Sequence, residues 1–268
     1  MVDIVKPVII LGGMKCGTTS LRMMLNQSKD IYFGKTERHY FNDNRKVTRF
    51  PNYLEFLAIG NQSDVVYVGD DTPAYSYLPE MAGNIFASCP DAKLIWMLRD
   101  PLERAVSNYW HAVRRGAETR EINQAFKDEI NGHTDSIWLR YIARSRYTEQ
   151  VARYEQFFSK KDMLFLRLDD FAISFTEKKY EIEEFLGVDL SEVNEFPSAN
   201  SAQFFGRPHL NLFLGLFSEK NKVIKGLSLI IRRVFSYKNR PLLEQNLSQE
   251  IQFILKDEYA FYEKISNI

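Results

Sequence analysis

Cysteine is scarce in this 268-residue chain: only Cys16 and Cys89 occur, and neither stands in a Cys/His spacing suited to zinc. A disulfide-framed secreted scaffold is thereby excluded, and a reducing compartment fits better. Charge of one sign is missing as well. The 35 basic residues balance 35 acidic ones, so no global field draws the chain to nucleic acid or to an anionic surface. Any anion site must be local. No run of about 18 apolar residues occurs, the length needed to span a bilayer, and the stretch Val8 to Leu11 is too short for a secretory signal. The expectation is a cytoplasmic protein without a membrane span. Linker-like Gly/Ser/Pro tracts and internal repeats are also lacking, which points to a single domain over residues 1–268. With 45% hydrophobic and 26% charged residues, that domain has material for an ordinary core.

Four apolar runs, Lys6 to Leu11, Val65 to Val68, Lys93 to Leu98 and Met163 to Leu168, alternate with stretches of helical spacing. This alternation predicts an α/β fold, a central parallel sheet flanked by helices. Near the end, Leu242, Leu243, Leu247, Ile251, Ile254, Leu255, Tyr259 and Tyr262 form one apolar stripe, which predicts an amphipathic helix.

The first run ends in Gly12-Gly13, and Met14-Lys15-Cys16-Gly17-Thr18-Thr19 leads into a helical stretch over 17–27. Backbone N–H groups at such a helix start hold a phosphate, and the threonine hydroxyls add donors. A nucleoside-triphosphatase loop would carry Lys directly after the second glycine. Here Thr18 has that place and Lys15 lies two residues before Gly17, so the usual Lys and Mg²⁺ arrangement is broken. The plain alternative is a Gly-rich turn with no ligand. Cys16 and Arg22 also have the spacing of a phosphatase loop in which a thiolate attacks phosphate, although Arg22 falls inside the helical stretch and no His precedes Cys16.

A second anion site follows Leu98. Arg99 ends a strand, Pro101 suits the first position of a helix, and Ser107 lies along that helix. The carboxyl ends of parallel strands share one edge, so Arg99 and the Lys15 loop face one ligand. A surface Arg–Asp pair with a capping role is the bland reading of Arg99 and Asp100.

With these motifs in view, the chain resembles the sulfotransferases that use 3′-phosphoadenosine 5′-phosphosulfate (PAPS), particularly the branch of heparan sulfate sulfotransferases and bacterial relatives. Lys15-Cys16-Gly17-Thr18-Thr19 is similar to that family's 5′-phosphosulfate loop, and Arg99 with Ser107 to its 3′-phosphate segment. Lys35-Thr36-Glu37-Arg38-His39-Tyr40-Phe41 resembles the segment carrying the catalytic Glu, and Thr72-Pro73-Ala74-Tyr75 a substrate-side motif. The resemblance implies a P-loop-like sulfotransferase fold with PAPS as co-substrate and no metal. By that resemblance Glu37 is the general base, Lys15 and His39 are further catalytic residues, and Lys15, Cys16, Gly17, Thr18, Thr19, Ser20, Arg99, Ser107 and Arg207 contact the cofactor. His39 reads equally well as a hydrogen-bonded core residue. Asp71 stands where several heparan-acting relatives carry Lys, which disfavours a polyanionic acceptor. The late Gly- and Lys-rich loop of those relatives has only weak counterparts, Phe205-Gly206-Arg207-Pro208 or Lys222 to Gly226.

The expected partner is a small-molecule or carbohydrate acceptor with a free hydroxyl, and not nucleic acid. Between Lys220 and Arg240 stand seven basic residues and no acidic one, around apolar Leu227 to Ile231. This stretch reads as a lid, as a peripheral membrane contact or as a solvated basic face. Three rival functions stay open on the sequence: a nucleotide phosphotransferase with a degenerate loop, a Cys16-dependent phosphatase, and a nucleotide-binding module without catalysis.

Overall fold

A computed structural model describes residues 5–42, 65–197 and 241–265. Five strands occur among them: β1 (Lys6–Leu11), β2 (Ile31–Phe33), β3 (Tyr67–Asp70), β4 (Lys93–Leu98) and β5 (Met163–Arg167). The helices are α1 (Thr18–Leu25), α2 (Ala74–Tyr77), α3 (Met81–Ser88), α4 (Pro101–Arg115), α5 (Ile122–Ile130), α6 (Tyr147–Glu155), α7 (Asp170–Ile173), α8 (Phe175–Leu186), α9 (Gln245–Ile254) and α10 (Lys256–Ile265). The strands form one sheet in the order β2-β3-β1-β4-β5, and every pairing is parallel. This is the α/β architecture expected from the alternation of strand and helix.

The chain groups into two compact units, Met1–Asp100 with Tyr147–Ala199 and Tyr259–Ile268, and Pro101–Arg146 with Asn200–Glu258. The first holds the sheet. Val8, Ile9, Ile10 and Leu11 of the central strand are fully buried, as a parallel strand covered on both faces requires. Trp96 on β4 packs edge-on against Tyr154 of α6 and stacks with Phe165 of β5. In the second unit Tyr109, Phe126 and Tyr141 form an aromatic cluster. Buried Arg104 donates to Ser145 Oγ and to the Tyr141 carbonyl there, while Glu118 accepts from Arg120 and from the Tyr141 hydroxyl.

Three expectations shift. The second strand runs from Tyr67 to Asp70 instead of Val65 to Val68, because its register is set by both neighbours: Gly69 pairs with Val8 and with Phe33. Gly and Asp are poor strand formers, which hid this end of the strand. Only glycine fits there, since a Cβ at 69 would lie 2.2 Å from the Phe33 ring. β2, three residues long, is too short to give a periodic signal. Finally, the C-terminal stripe divides between α9 and α10. Leu255 leaves helical geometry (φ −98°, ψ 16°), and Glu258 N–H bonds its carbonyl in a tight turn. Leu242 precedes α9 and is exposed.

Candidate active site

β1 and β4 are adjacent, with Leu11 opposite Trp96, so the chain leaves both strands at the same sheet edge. After β1 it turns through Lys15 and Gly17, both left-handed (φ 80° and 88°). Glycine tolerates that region freely; at Lys15 it carries strain of about 1 kcal/mol or more. A Cβ at Gly17 would also lie 2.6 Å from Leu168 Cδ1, so the turn is pressed against the residue after β5. α1 then starts at Thr18 with Gly17, which has no side chain to cap it, at its N-cap and no acidic residue in its first turn. Thr18, Thr19 and Ser20 thus stand in the first turn, at the positive end of a helix.

Arg99 follows β4 directly, and Ser107 lies partly exposed on α4. Tyr147, the first residue of α6, is fully buried. Its hydroxyl donates to the Arg99 carbonyl at 2.9 Å and lies 3.7 Å from Cys16 Sγ. One tyrosine therefore touches both the Lys15 turn and the residue after β4. No sequence motif singles out Tyr147, because its partners are 48 and 131 residues away, beyond any local pattern.

Arg22 does not serve the turn. Its Nη1 donates to the Gly34 carbonyl at 3.2 Å, and its Nε stands 3.1 Å from Asp71 Oδ2, an ion pair without hydrogen-bond alignment. The thiolate and guanidinium of a phosphatase loop are thus not brought together around Cys16, which is itself wholly buried.

The segment after β2 supplies the acidic side of the site. Glu37 Oε2 and His39 Nε2 are 3.1 Å apart, and both side chains are partly exposed. Between them the backbone does not run extended: His39 is left-handed (φ 53°). Asp70 ends β3 and Asp71 follows it. Burial pushes the Asp71 carboxyl up to about 7 against the opposing pull of Arg22, with Asp70 and Glu37 adding to the rise. Arg207, the weak late-loop counterparts and the basic stretch from Lys220 to Arg240 lie outside the described residues.

A parallel sheet whose central strand leads through a Gly-rich turn into a helix, with an arginine at the end of the neighbouring strand, defines an α/β protein of the P-loop-like class. Residues 6–204 match the sulfotransferase domain family, and the chain belongs to it. Among curated relatives, the membrane-associated sulfotransferase kil1 of Dictyostelium discoideum is 30% identical over 147 residues, 53% of this chain and 31% of that protein. Human heparan sulfate glucosamine 3-O-sulfotransferase 3A1 is 24% identical over 211 residues, 75% of this chain and 51% of its own length. The chain thus spans about half, or less, of these relatives. A sulfotransferase from Alicyclobacillus acidocaldarius has the same fold with a TM-score of 0.61 at 24% identity, covering 86% of this chain and all of the other. Among the described residues, no helix is long and apolar enough to cross a membrane.

Proposed function

We propose that this chain, acting as a single sulfotransferase domain in the cytoplasm, transfers a sulfuryl group from PAPS to a hydroxyl of a carbohydrate or other small-molecule acceptor. The observation that carries the reading is the glycine-led, acid-free start of α1 at the sheet edge it shares with Arg99, the two tied by Tyr147. These residues suit an anion with phosphate at both ends of a ribose. Lys15, Cys16, Gly17, Thr18, Thr19 and Ser20 would hold its 5′ side, Arg99 and Ser107 its 3′-phosphate, and Arg207 is a further expected contact. Bound there, PAPS supplies an activated sulfuryl group with a bisphosphate leaving group.

The chain's own part is positioning and charge. Lys15 presents a compact cation to the negative charge that grows on the oxygen being released. Glu37 accepts the acceptor's hydroxyl proton as the new sulfur–oxygen bond forms and the old one breaks. His39, in contact with Glu37, shares that proton. Glu37 presents a partly exposed carboxylate on this side, and Asp71 replaces the lysine of several heparan-acting relatives, which supports an acceptor that is not polyanionic.

The test begins with thermal stability. Adenosine 3′,5′-bisphosphate raises the melting temperature well above the effect of ATP with Mg²⁺, and the reverse order would indicate a phosphotransferase. Arg99→Ala weakens the bisphosphate far more than adenosine 5′-monophosphate; equal losses remove Arg99 from the 3′ site. In an acceptor screen with radiolabelled PAPS, Glu37→Gln lowers turnover by about 10²–10⁴-fold with bisphosphate binding intact. Wild-type turnover in that variant rejects Glu37 as the base.

A further inference from the structure

The segment that carries Glu37 and His39 has no regular secondary structure, yet its backbone is held at three amides. Arg38 N–H donates to Asp70 Oδ1 at 3.2 Å, His39 N–H to Thr72 Oγ1 at 3.0 Å, and Phe41 N–H to the Tyr75 hydroxyl at 3.2 Å. The two hydroxyls depend in turn on Asp70. Thr72 Oγ1 donates to Asp70 Oδ1 and the Tyr75 hydroxyl to Asp70 Oδ2, both at 2.7 Å. Thr72 N–H closes the group on Oδ1 at 3.1 Å. Asp70, Thr72 and Tyr75 are all at most 1% exposed, so water does not substitute for these bonds.

The direction of each bond follows from chemistry. A carboxylate only accepts, so both hydroxyl protons point at Asp70, and the oxygen lone pairs of Thr72 and Tyr75 face the amides of His39 and Phe41. Burial, then the charge of Asp70, pushes the Tyr75 hydroxyl far above its ordinary range, which keeps its proton in place as a donor. The arrangement also holds His39 in a left-handed backbone that a non-glycine residue adopts only when its surroundings enforce it. The other end of the segment is tied by Arg22 to the Gly34 carbonyl.

We propose that Asp70 is a positioning residue of the transfer reaction: through its carboxylate and the hydroxyls of Thr72 and Tyr75 it fixes the backbone of residues 38–41, and so sets where Glu37 and His39 stand. Its catalytic importance rests on the reading of Glu37 as the base; the anchoring itself does not. In Asp70→Asn the amide oxygen takes the three donors now on Oδ1, and the NH₂ group is left facing the Tyr75 hydroxyl donor to donor. The hydroxyl must then turn, and the Phe41 amide loses its acceptor.

Hydrogen exchange, followed peptide by peptide on the full chain with adenosine 3′,5′-bisphosphate bound, tests the anchoring without any acceptor. Asp70→Asn speeds exchange in the peptide containing residues 38–41 by about tenfold or more, while the peptides of β1 and the Lys15 turn are unchanged and bisphosphate affinity stays within about twofold. Unchanged exchange at 38–41, or equal acceleration throughout the sheet, overturns the proposal. Should Asp70→Asn not fold, Tyr75→Phe and Thr72→Val take its place, each deprotecting its own amide, Phe41 or His39; protection at both sites overturns it equally. With an acceptor from the screen, Asp70→Asn lowers kcat by about tenfold or more with KM for PAPS little changed, and adds no further loss in the Glu37→Gln background. Multiplying losses would mean that Asp70 acts elsewhere. Full turnover in Glu37→Gln alone removes the base and leaves the exchange result to decide the anchoring.

Discussion

Asp71 is the residue whose chemistry departs furthest from its type. Its carboxyl, buried beside Arg22 and within reach of Asp70 and Glu37, keeps a proton up to about pH 7, whereas in the unfolded chain it releases that proton near the ordinary carboxylate value of about 4. Between those limits the folded state binds more protons than the unfolded one, so this group's contribution to stability falls as pH rises and is fully lost above about 7. Urea unfolding of wild type and Asp71→Asn at several pH values checks this. The difference shifts in favour of the variant as pH rises from about 5 to about 8, by at most about 1.4 kcal/mol per unit. A pH-independent difference would place the titration elsewhere. The sequence shows Asp71 as a departure from a lysine pattern, but not its partner: Arg22 reads as a helix residue turned from the Lys15 loop, and only the fold reveals that it turns toward Asp71.

At the scale of elements, α6 contributes more than packing. Tyr147, Val151 and Tyr154 place one face of it in the core, and the Tyr147 hydroxyl reaches beyond that face to the Arg99 carbonyl. Tyr147→Phe leaves that carbonyl without this donor, at a cost of about 1–2 kcal/mol, and loosens the link between Arg99 and the Cys16 turn. Calorimetry is expected to record weaker binding of adenosine 3′,5′-bisphosphate together with a lower melting temperature; unchanged affinity would make Tyr147 a packing residue only. β1, β4 and β5 are legible in the sequence because buried parallel strands read as continuous apolar runs. β2 and the end of β3 are not, because their pairing depends on neighbours distant in the chain.

For the molecule as a whole, the family match ends at residue 204, but the sheet relies on chain beyond it. Phe261 packs edge-on against Phe165 of the edge strand β5, Arg167 lies over the Tyr262 ring, and the Tyr262 hydroxyl donates to Asp169 at 2.8 Å. A chain ended at Glu258 loses two aromatic anchors worth about 1.5–3 kcal/mol each, and is expected to melt several degrees lower in calorimetry. An unchanged melting temperature would show that β5 needs no such cover. The sequence by itself determined the parallel α/β plan, the Gly-rich turn at Lys15 and the Arg99 segment, because each depends on residues within a few positions of one another. Tertiary structure alone decided that Tyr147 joins those two segments, that Arg22 pairs with Asp71, and that Asp70 anchors the turn bearing Glu37 and His39. Those contacts join residues about 30 to 130 positions apart, and the energy of a buried hydrogen bond depends on three-dimensional neighbours that no local pattern encodes.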